Sequence, residues 1–371
     1  MSLVLRATVF DFNNLQIKGT YAALSYDLNL DYIDSTTSQF ILNDKGESNV
    51  GDYVAIKVPN TEQILFYGVI TVVDDSESED SPTYTVSDFR TLLNGDIIVT
   101  AKTGTSIEAL LIQLAKNYFA SSPSTNPLSY SISNSTNTTF SITNADTIDT
   151  YNFDDFIIRC YELHNVVMTV TGIGQGTSNG VPFYYPIIDV HAVSDKIQIK
   201  NNIAVFAGWT VSDSRLLRSY ANELWIVDQA STDMASPKIL SRYYLQKDGT
   251  LTTTLNSNVV QPTLVTISLF DTTATDNPTY ADLAAQTLTG NEYSHEIQFS
   301  IPMKNNFISL DQLKIGTLST IYYVKKVKGA NVTTIYNSVL TGFELSNDEN
   351  MIALTFGNLR LSASDAFTSS D

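Results

Sequence analysis

Residues 176–180 read Gly-Thr-Ser-Asn-Gly and match the spacing of a G-x-S-x-G nucleophile elbow. That motif works when a strand feeds the serine into a sharp turn and a helix leaves it, so that the hydroxyl is exposed to a base and to backbone N–H donors. Here "MTVTGI" precedes and "VPFYYPIIDV" follows, so both flanks read as strands and Ser178 is expected at a hairpin tip. The overlapping "GIGQGT" (172–177) lacks the third glycine and the following helix that a dinucleotide-phosphate loop needs. Cys160 and His164 stand four apart and would share one face of a helix, as half of a metal site would. His191 and His295 lie far along the chain and there is no second cysteine to complete a tetrad, so core packing is expected for this pair.

Two acidic loops and two tryptophans complete the inventory. In "DDSESED", Asp75, Glu77, Glu79 and Asp80 offer the hard oxygens calcium prefers, but the glycine and spacing of an EF-hand loop are missing. "SNDEN" (346–350) has the same character, and solvated hairpin loops are expected at both places. Trp209 and Trp225, with the tyrosine-rich strands around them, could form a sugar platform; strand aromatics of this kind are expected in the core. The expectation is therefore of no catalytic, cofactor-binding or metal-binding residue, and of no enzyme. The sequons at Asn134, Asn137 and Asn331 are chance products of an Asn/Thr-rich chain.

The elements that would position these residues are mostly strands. At ~100–200 residues per domain, 371 residues imply two to four domains. With 11% aromatic and only 16% charged residues, the composition suits pleated, half-buried surfaces. The net charge of −18 and the lack of a Lys/Arg-rich run speak against a nucleic-acid clamp; such acidity suits a surface that DNA slides past, or simply solubility. A lone cysteine allows no internal disulfide, "MSLVLRATVFDFNNL" does not read as a signal peptide, and no apolar run reaches the ~18 residues of a membrane span.

Along the chain, residues 1–102 read as short strands at barrel-like spacing. Residues 103–200 read as an α+β domain. Its first helix starts after Ser106 with apolar residues at helical spacing, its second is capped by Asn152, and a hairpin follows. Residues 201–240 with 300–362 are assigned to a second barrel, and 241–299 to an inserted strand-helix-strand domain with a tight turn at 247–249. Residues 363–371 are expected to be a frayed tail. The fold class is thus mainly β with minor α, multidomain, with two related small antiparallel β-barrels plus α+β insert domains.

The two barrels are read as related because their segments align. "ILFYGVIT" (64–71) lies over "TIYNSVLT" (334–341), and each is followed by an acidic loop and then a strand, "TYTV" or "IALT". Upstream, the facing arms align as "YVAIK" and "IYYVK". A repeated module would let three chains present six similar modules around one axis.

In order and spacing, "SYDLNLDYIDSTTSQFIL", "GDYVAIKV", "ILFYGVIT", "SIEALLIQLAKNYF" and "YNFDDFIIRCYELHNVVMTV" carry a family resemblance. It continues through "NELWIVDQ", "SRYYLQKDGTLTT", "SHEIQFSIP" and "NSVLTGFELSNDENMIALTFGNLRLS" and covers nearly the whole chain. The chain resembles bacteriophage tail-tip hub proteins, the tail-associated proteins of long-tailed phages of Gram-positive bacteria, similar in fold to the central hub of contractile-tail baseplates. The resemblance implies a homotrimeric ring in the virion tail tip, made in the bacterial host cytoplasm. The ring would sit beneath a hexameric distal tail protein and beside receptor-binding proteins, and tape-measure protein and then genomic DNA would pass through without specific binding. It also implies a short form, without the lytic extension of many relatives. The alternative is a tail-tip adhesion protein that binds host cell-wall carbohydrate; a wall hydrolase is a third class, for which no carboxylate pair stands out.

Overall fold

The computed structural model describes residues 4–34, 36–58, 60–75, 81–99, 105–119, 128–136, 139–140, 149–201, 205–213, 221–231, 233, 235–247, 250–274, 277–288, 295–347 and 351–357. The chain divides into two compact units: Met1–Thr210 with Ile297–Gly357, and a smaller one built from residues within 211–296.

The first unit opens with β1 (Arg6–Phe10), β2 (Ile17–Asp31), β3 (Thr37–Leu42), β4 (Tyr53–Lys57), β5 (Ile64–Asp74) and β6 (Thr83–Asp88). They pair in the order β1-β4-β5-β6-β3-β2, and β1 also pairs β2, so the sheet closes into a six-stranded antiparallel barrel. Closure pairs β1 with residues 17–22 of β2 and leaves the end of β2 available to a further strand. Val9, Phe40, Val54, Ile56, Phe66, Ile70 and Tyr84 fill the interior.

A 3-10 turn (Phe89–Leu93) leads into the α+β part: β7 (Asp96–Val99), β8 (Thr105–Ser106), α1 (Ile107–Tyr118), β9 (Ser129–Ser131), β10 (Thr139–Phe140) and β11 (Asp149–Asn152). Then follow α2 (Phe153–His164), β12 (Val166–Ser178) and β13 (Val181–Ala192). Both helices start where the sequence places their caps. Ser106 accepts from the Ala109 N–H, and Asn152 accepts from those of Asp154 and Asp155. Asn165, left-handed at φ 55°, ends α2 and turns the chain into β12. The β12–β13 hairpin closes on Asn179 (φ 51°) and Gly180 (φ +79°), the two positive values of a type I′ turn.

After β14 (Ser194–Lys200) and β15 (Ala207–Asp213), the smaller unit forms from β16 (Glu223–Asp228), β17 (Ile239–Leu245), β18 (Leu251–Thr252), β19 (Val265–Phe270) and α3 (Tyr280–Leu288). Its sheet has the order β18-β17-β16-β19, and Ala284 and Leu288 of α3 pack on Leu224 and Ile226. The chain then returns through β20 (His295–Pro302), a 3-10 turn (Leu310–Gln312), β21 (Thr317–Val327), β22 (Ala330–Ser346) and β23 (Met351–Gly357). No helix among the described residues is long and apolar enough to cross a membrane.

The second set of six strands pairs in the order β14-β21-β22-β23-β20-β15. Counted along the chain, both sets run first, fourth, fifth, sixth, third, second. The equivalence reaches single atoms. Gly51 (φ +94°) and Gly316 (φ +88°) precede β4 and β21, and each donates its N–H to a carbonyl on the next strand, that of Ile70 (2.8 Å) or Leu340 (3.0 Å). One residue on, β5 and β22 each bulge at a threonine. The Thr71 hydroxyl bonds the Thr85 carbonyl (3.3 Å) and the Thr341 hydroxyl bonds the Thr355 carbonyl (3.2 Å).

These registers correct the sequence alignment in two places. β5 over β22 stands as read, but "TYTV" matches "ALTF" (353–356), one residue beyond "IALT". "YVAIK" matches residues 318–322, three before "IYYVK", because the β21–β22 ladder runs farther past the barrel than the β4–β5 ladder does. The modules also differ. β1 runs antiparallel to β4 whereas β14 runs parallel to β21, and among the described residues only the first module has a closing pair.

The modules are joined by a continuous ladder, Asp27 to Asp31 of β2 opposite Ser346 to Gly342 of β22. Asn347 extends the join, its side-chain oxygen accepting from the Tyr26 N–H and the Ser25 hydroxyl. The repeated glycines yield a prediction. Alanine at either position forces a left-handed residue, costing about 1–2 kcal/mol. At Gly316 the new Cβ also meets Val167 Cγ2 at 2.5 Å, whereas at Gly51 the nearest atom, on the Phe12 ring, is 3.3 Å away. Urea unfolding should therefore show Gly316→Ala losing more stability than Gly51→Ala.

Candidate functional site

Where the parts of the larger unit meet, the sequence places one arginine. The Asp88 side chain accepts from the Arg90 N–H (3.0 Å), starting the 3-10 turn and turning Arg90 inward. Its guanidinium donates to the Tyr32 carbonyl (2.7 Å) and the Asp31 carbonyl (3.3 Å). It also lies 3.4 Å from Asp88, 3.5 Å from Asp154 of α2 and 4.9 Å from the centre of the Tyr32 ring. Tyr32 in turn accepts from the Met168 N–H of β12 (2.8 Å), packs edge-on against Tyr161 of α2 and donates its own N–H to the Thr341 carbonyl of β22. One buried cation thus ties the barrel exit, β2, β12, α2 and β22 together.

Electrostatics follow burial. Burial pushes the Asp88 and Asp154 carboxyls up from their ordinary values, with Arg90 opposing in both cases. Burial works against the Arg90 charge, yet the two carboxylates hold its pKa above the ordinary one. The Tyr32 hydroxyl is pushed far up by burial, Arg90 again opposing. The guanidinium's partners are all groups of the protein, so it acts as a clasp.

Beside the clasp lies a cavity of about 490 Å³, lined by Leu30, Phe66, Phe89, Met168, Asp189 and His191 among others. Asp189 accepts from Ser131 Oγ (2.7 Å) and Ser133 Oγ, and lies 3.0 Å from His191 Nδ1. A serine-histidine relay needs the hydroxyl on the imidazole. Here both hydroxyls are spent on the carboxylate, so the set orders the strand ends around β13.

The residues singled out in the sequence disperse. Ser178 ends β12 and Val181 begins β13, so a strand stands on each side of the glycine motif. Gly174 and Gly176 lie under the rings of their cross-strand partners Tyr185 and Phe183, where a Cβ would come within 2.4 and 2.3 Å of ring atoms. Cys160 is buried and its thiol is pushed far up by burial. His164 is pushed down to about 4 by burial, with Glu108 opposing. His295 is buried, and His191 belongs to the Asp189 set.

No group of three or more His, Cys, Asp and Glu side chains converges among the described residues. Of the calcium candidates, Asp75 is exposed; Glu77, Glu79 and Asp80 lie outside the described residues, as do residues 348–350 of the second acidic loop and 248–249 of the 247–249 turn. Trp209 stacks on Phe299 at 4.1 Å, and the Trp225 ring is covered by the Arg242 guanidinium at 4.5 Å. Sequence reasoning passed over Arg90; the signal was a charged residue inside "VSDFRTLL", two after an aspartate able to cap a turn.

No family model matches the chain, and no curated protein matches it. Solved structures do. A protein of the p2 virion baseplate in its activated conformation is 15% identical, the match covering 96% of this chain and 99% of that one at a TM-score of 0.50. The 43 kDa tail protein of prophage MuSo2 from Shewanella oneidensis is 9% identical over 99% of this chain and 100% of that one, at 0.52. The tail protein from Neisseria meningitidis MC58 is 11% identical over 98% of each chain, at 0.50. Along nearly its whole length, the chain is similar in fold to phage baseplate and tail proteins.

Arg90→Met leaves two half-buried carboxylates without their cation and should cost about 3 kcal/mol in urea unfolding, with Asp154→Asn in the same chain recovering part of the loss. His164 titrates lower in the folded chain than the 6.5 of a free imidazole, so the unfolded chain takes up its proton first. Its stabilisation is full above pH 6.5 and is lost as pH falls towards 4. His164→Gln should therefore gain on the parent by about 2–3 kcal/mol across that window.

Proposed function

We propose that the chain is a structural component of a phage tail, the hub of the tail tip, assembled as a homotrimer. The carrying observation is the pair of six-stranded modules with one strand order and matching bulges, fused through β2 and β22. A doubled module suits a place where threefold and sixfold rings meet, because three copies offer six nearly equivalent surfaces. The fold likeness to baseplate and tail proteins supports the same reading. In this role the ring sits beneath a hexameric distal tail protein, with receptor-binding proteins as further neighbours. Tape-measure protein and DNA pass through its centre, and a net charge of −18 suits a wall that DNA slides past.

We assign the chain no enzymatic step, since Ser133, Asp189 and His191 at the cavity are engaged with one another. The adhesion reading gains nothing from the tryptophans, whose rings are stacked or covered within the protein. Native mass spectrometry of the purified chain should give a threefold mass, and gold-labelled antibody should decorate the tail tip of virions. A strict monomer at high concentration would sink the ring, and label along the tail shaft would sink the placement.

A further inference from the structure

The chain's positive charge is not spread evenly. Residues 312–343, which span β21 and most of β22, carry Lys314, Lys325, Lys326 and Lys328 and not one Asp or Glu, in a chain with 39 of them. β14, paired alongside, adds exposed Lys196 and Lys200. The hairpin outruns its neighbours. β14 pairs as far as Tyr322, and the Asn201 side chain closes the edge by bonding both backbone groups of Val324. Beyond that, residues 325–333 are all exposed.

This free arm is preformed. Lys328 (φ 49°) and Gly329 (φ +86°) make a two-residue turn with both angles positive, and the ladder is in register from Val327 opposite Ala330 down to Leu318 opposite Val339. About 10 Å of two-stranded ribbon thus stands clear, a length that gains little stability by itself. Lys325 and Val327 share one face with Val332, and both valines are 42% exposed. A surface combining lysines with bare valines fits a partner that is acidic and apolar at once.

The first barrel carries such a surface. Phe12, Ile17 and Val50 are exposed, and the Phe12 ring lies over Gly51 beside Val50. Lys18 there lies 3.8 Å from Asp11 and 2.7 Å from Asp52 and donates to the Glu47 carbonyl, while the Glu47 carboxylate accepts from the Tyr21 hydroxyl. The local field is negative. Partial burial first, and then Glu47, push the Tyr21 hydroxyl up to about 12, with Asp44 and Asp52 adding to it.

We propose that the β21–β22 arm of one copy docks on the Phe12, Ile17, Val50 and Glu47 surface of the first barrel of another copy. The contact joins two different surfaces head to tail, the kind of interface that closes a ring. The inference rests on the proposed assembly of several copies and names the surfaces that would hold it together.

The test measures self-association of the full chain by sedimentation. Raising salt from about 0.05 to 0.5 M, which shortens the screening length to below about 5 Å, should weaken association. Lys325→Glu/Lys326→Glu/Lys328→Glu should weaken it about tenfold or more with the circular dichroism spectrum of the fold unchanged. Adding Glu47→Lys to that chain should restore much of the association, which a merely structural role for the arm would not do. A triple variant that assembles like the parent overturns the arm contact and leaves the hub reading standing; a parent chain that is monomeric at both salt levels sinks both. Lysine-dependent retention of double-stranded DNA, with association unchanged, would make the arm a phosphate contact and overturn the proposal.

Discussion

A single buried guanidinium sets the geometry of the larger unit. Arg90 sits where the barrel's last strand leaves, and its donors reach the carbonyls that end β2. Without it those carbonyls would lose a donor and two half-buried carboxylates their cation, at a cost of about 3 kcal/mol. Because Tyr32, which it covers, is bonded to β12 and β22, the charge also fixes the angle at which the helical part and the second module meet the first. The β2–β22 ladder supplies the length and register of the join, and the clasp holds the end of β2.

The internal repeat is carried by backbone constraints more than by side-chain identity. A left-handed glycine before the fourth strand and a threonine bulge in the fifth recur with their hydrogen bonds, while the residues between them differ: Val54 faces the core where Ser319 does, and Tyr84 where Leu354 does. A bulge bends a strand and raises its twist. Two such bulges at matching places give two modules of similar curvature even when the core is refilled. The reversed first strand of the second module is the main departure, and it leaves β21 and β22 free to run on past the barrel.

Much of this was legible in the residues. Ser106 and Asn152 announced their helices, and strands on each side of Asn179-Gly180 turned a hydrolase-like motif into a hairpin tip. The repeat was visible at β5 and β22, whose segments around the bulge align residue for residue, and slipped at their neighbours, where β21 is longer than β4. Apolar alternation has a period of two and cannot register a bulge or a longer ladder. Gly51 and Gly316 would have anchored the alignment, since a conformational need marks a position more firmly than hydrophobicity does. The clasp and the cavity were not legible, because residues distant in sequence, from Asp31 to Met168, meet there only after the chain has folded. The lysine arm was present in "YVKKVKGANV", but its projection depends on where β14 stops pairing.

The join between the modules also sets a schedule. Tyr26 and Asn347, bonded across it, are separated by 321 residues. At roughly 5–20 residues per second of synthesis, the first barrel waits on the order of 15–60 s with the end of β2 unpaired. An open strand edge invites pairing with another nascent chain, and charged side chains on the edge discourage it. Asp27 and Asp31, which make no ladder with β22 until residues 342–346 have been made, are placed to guard that edge in the meantime.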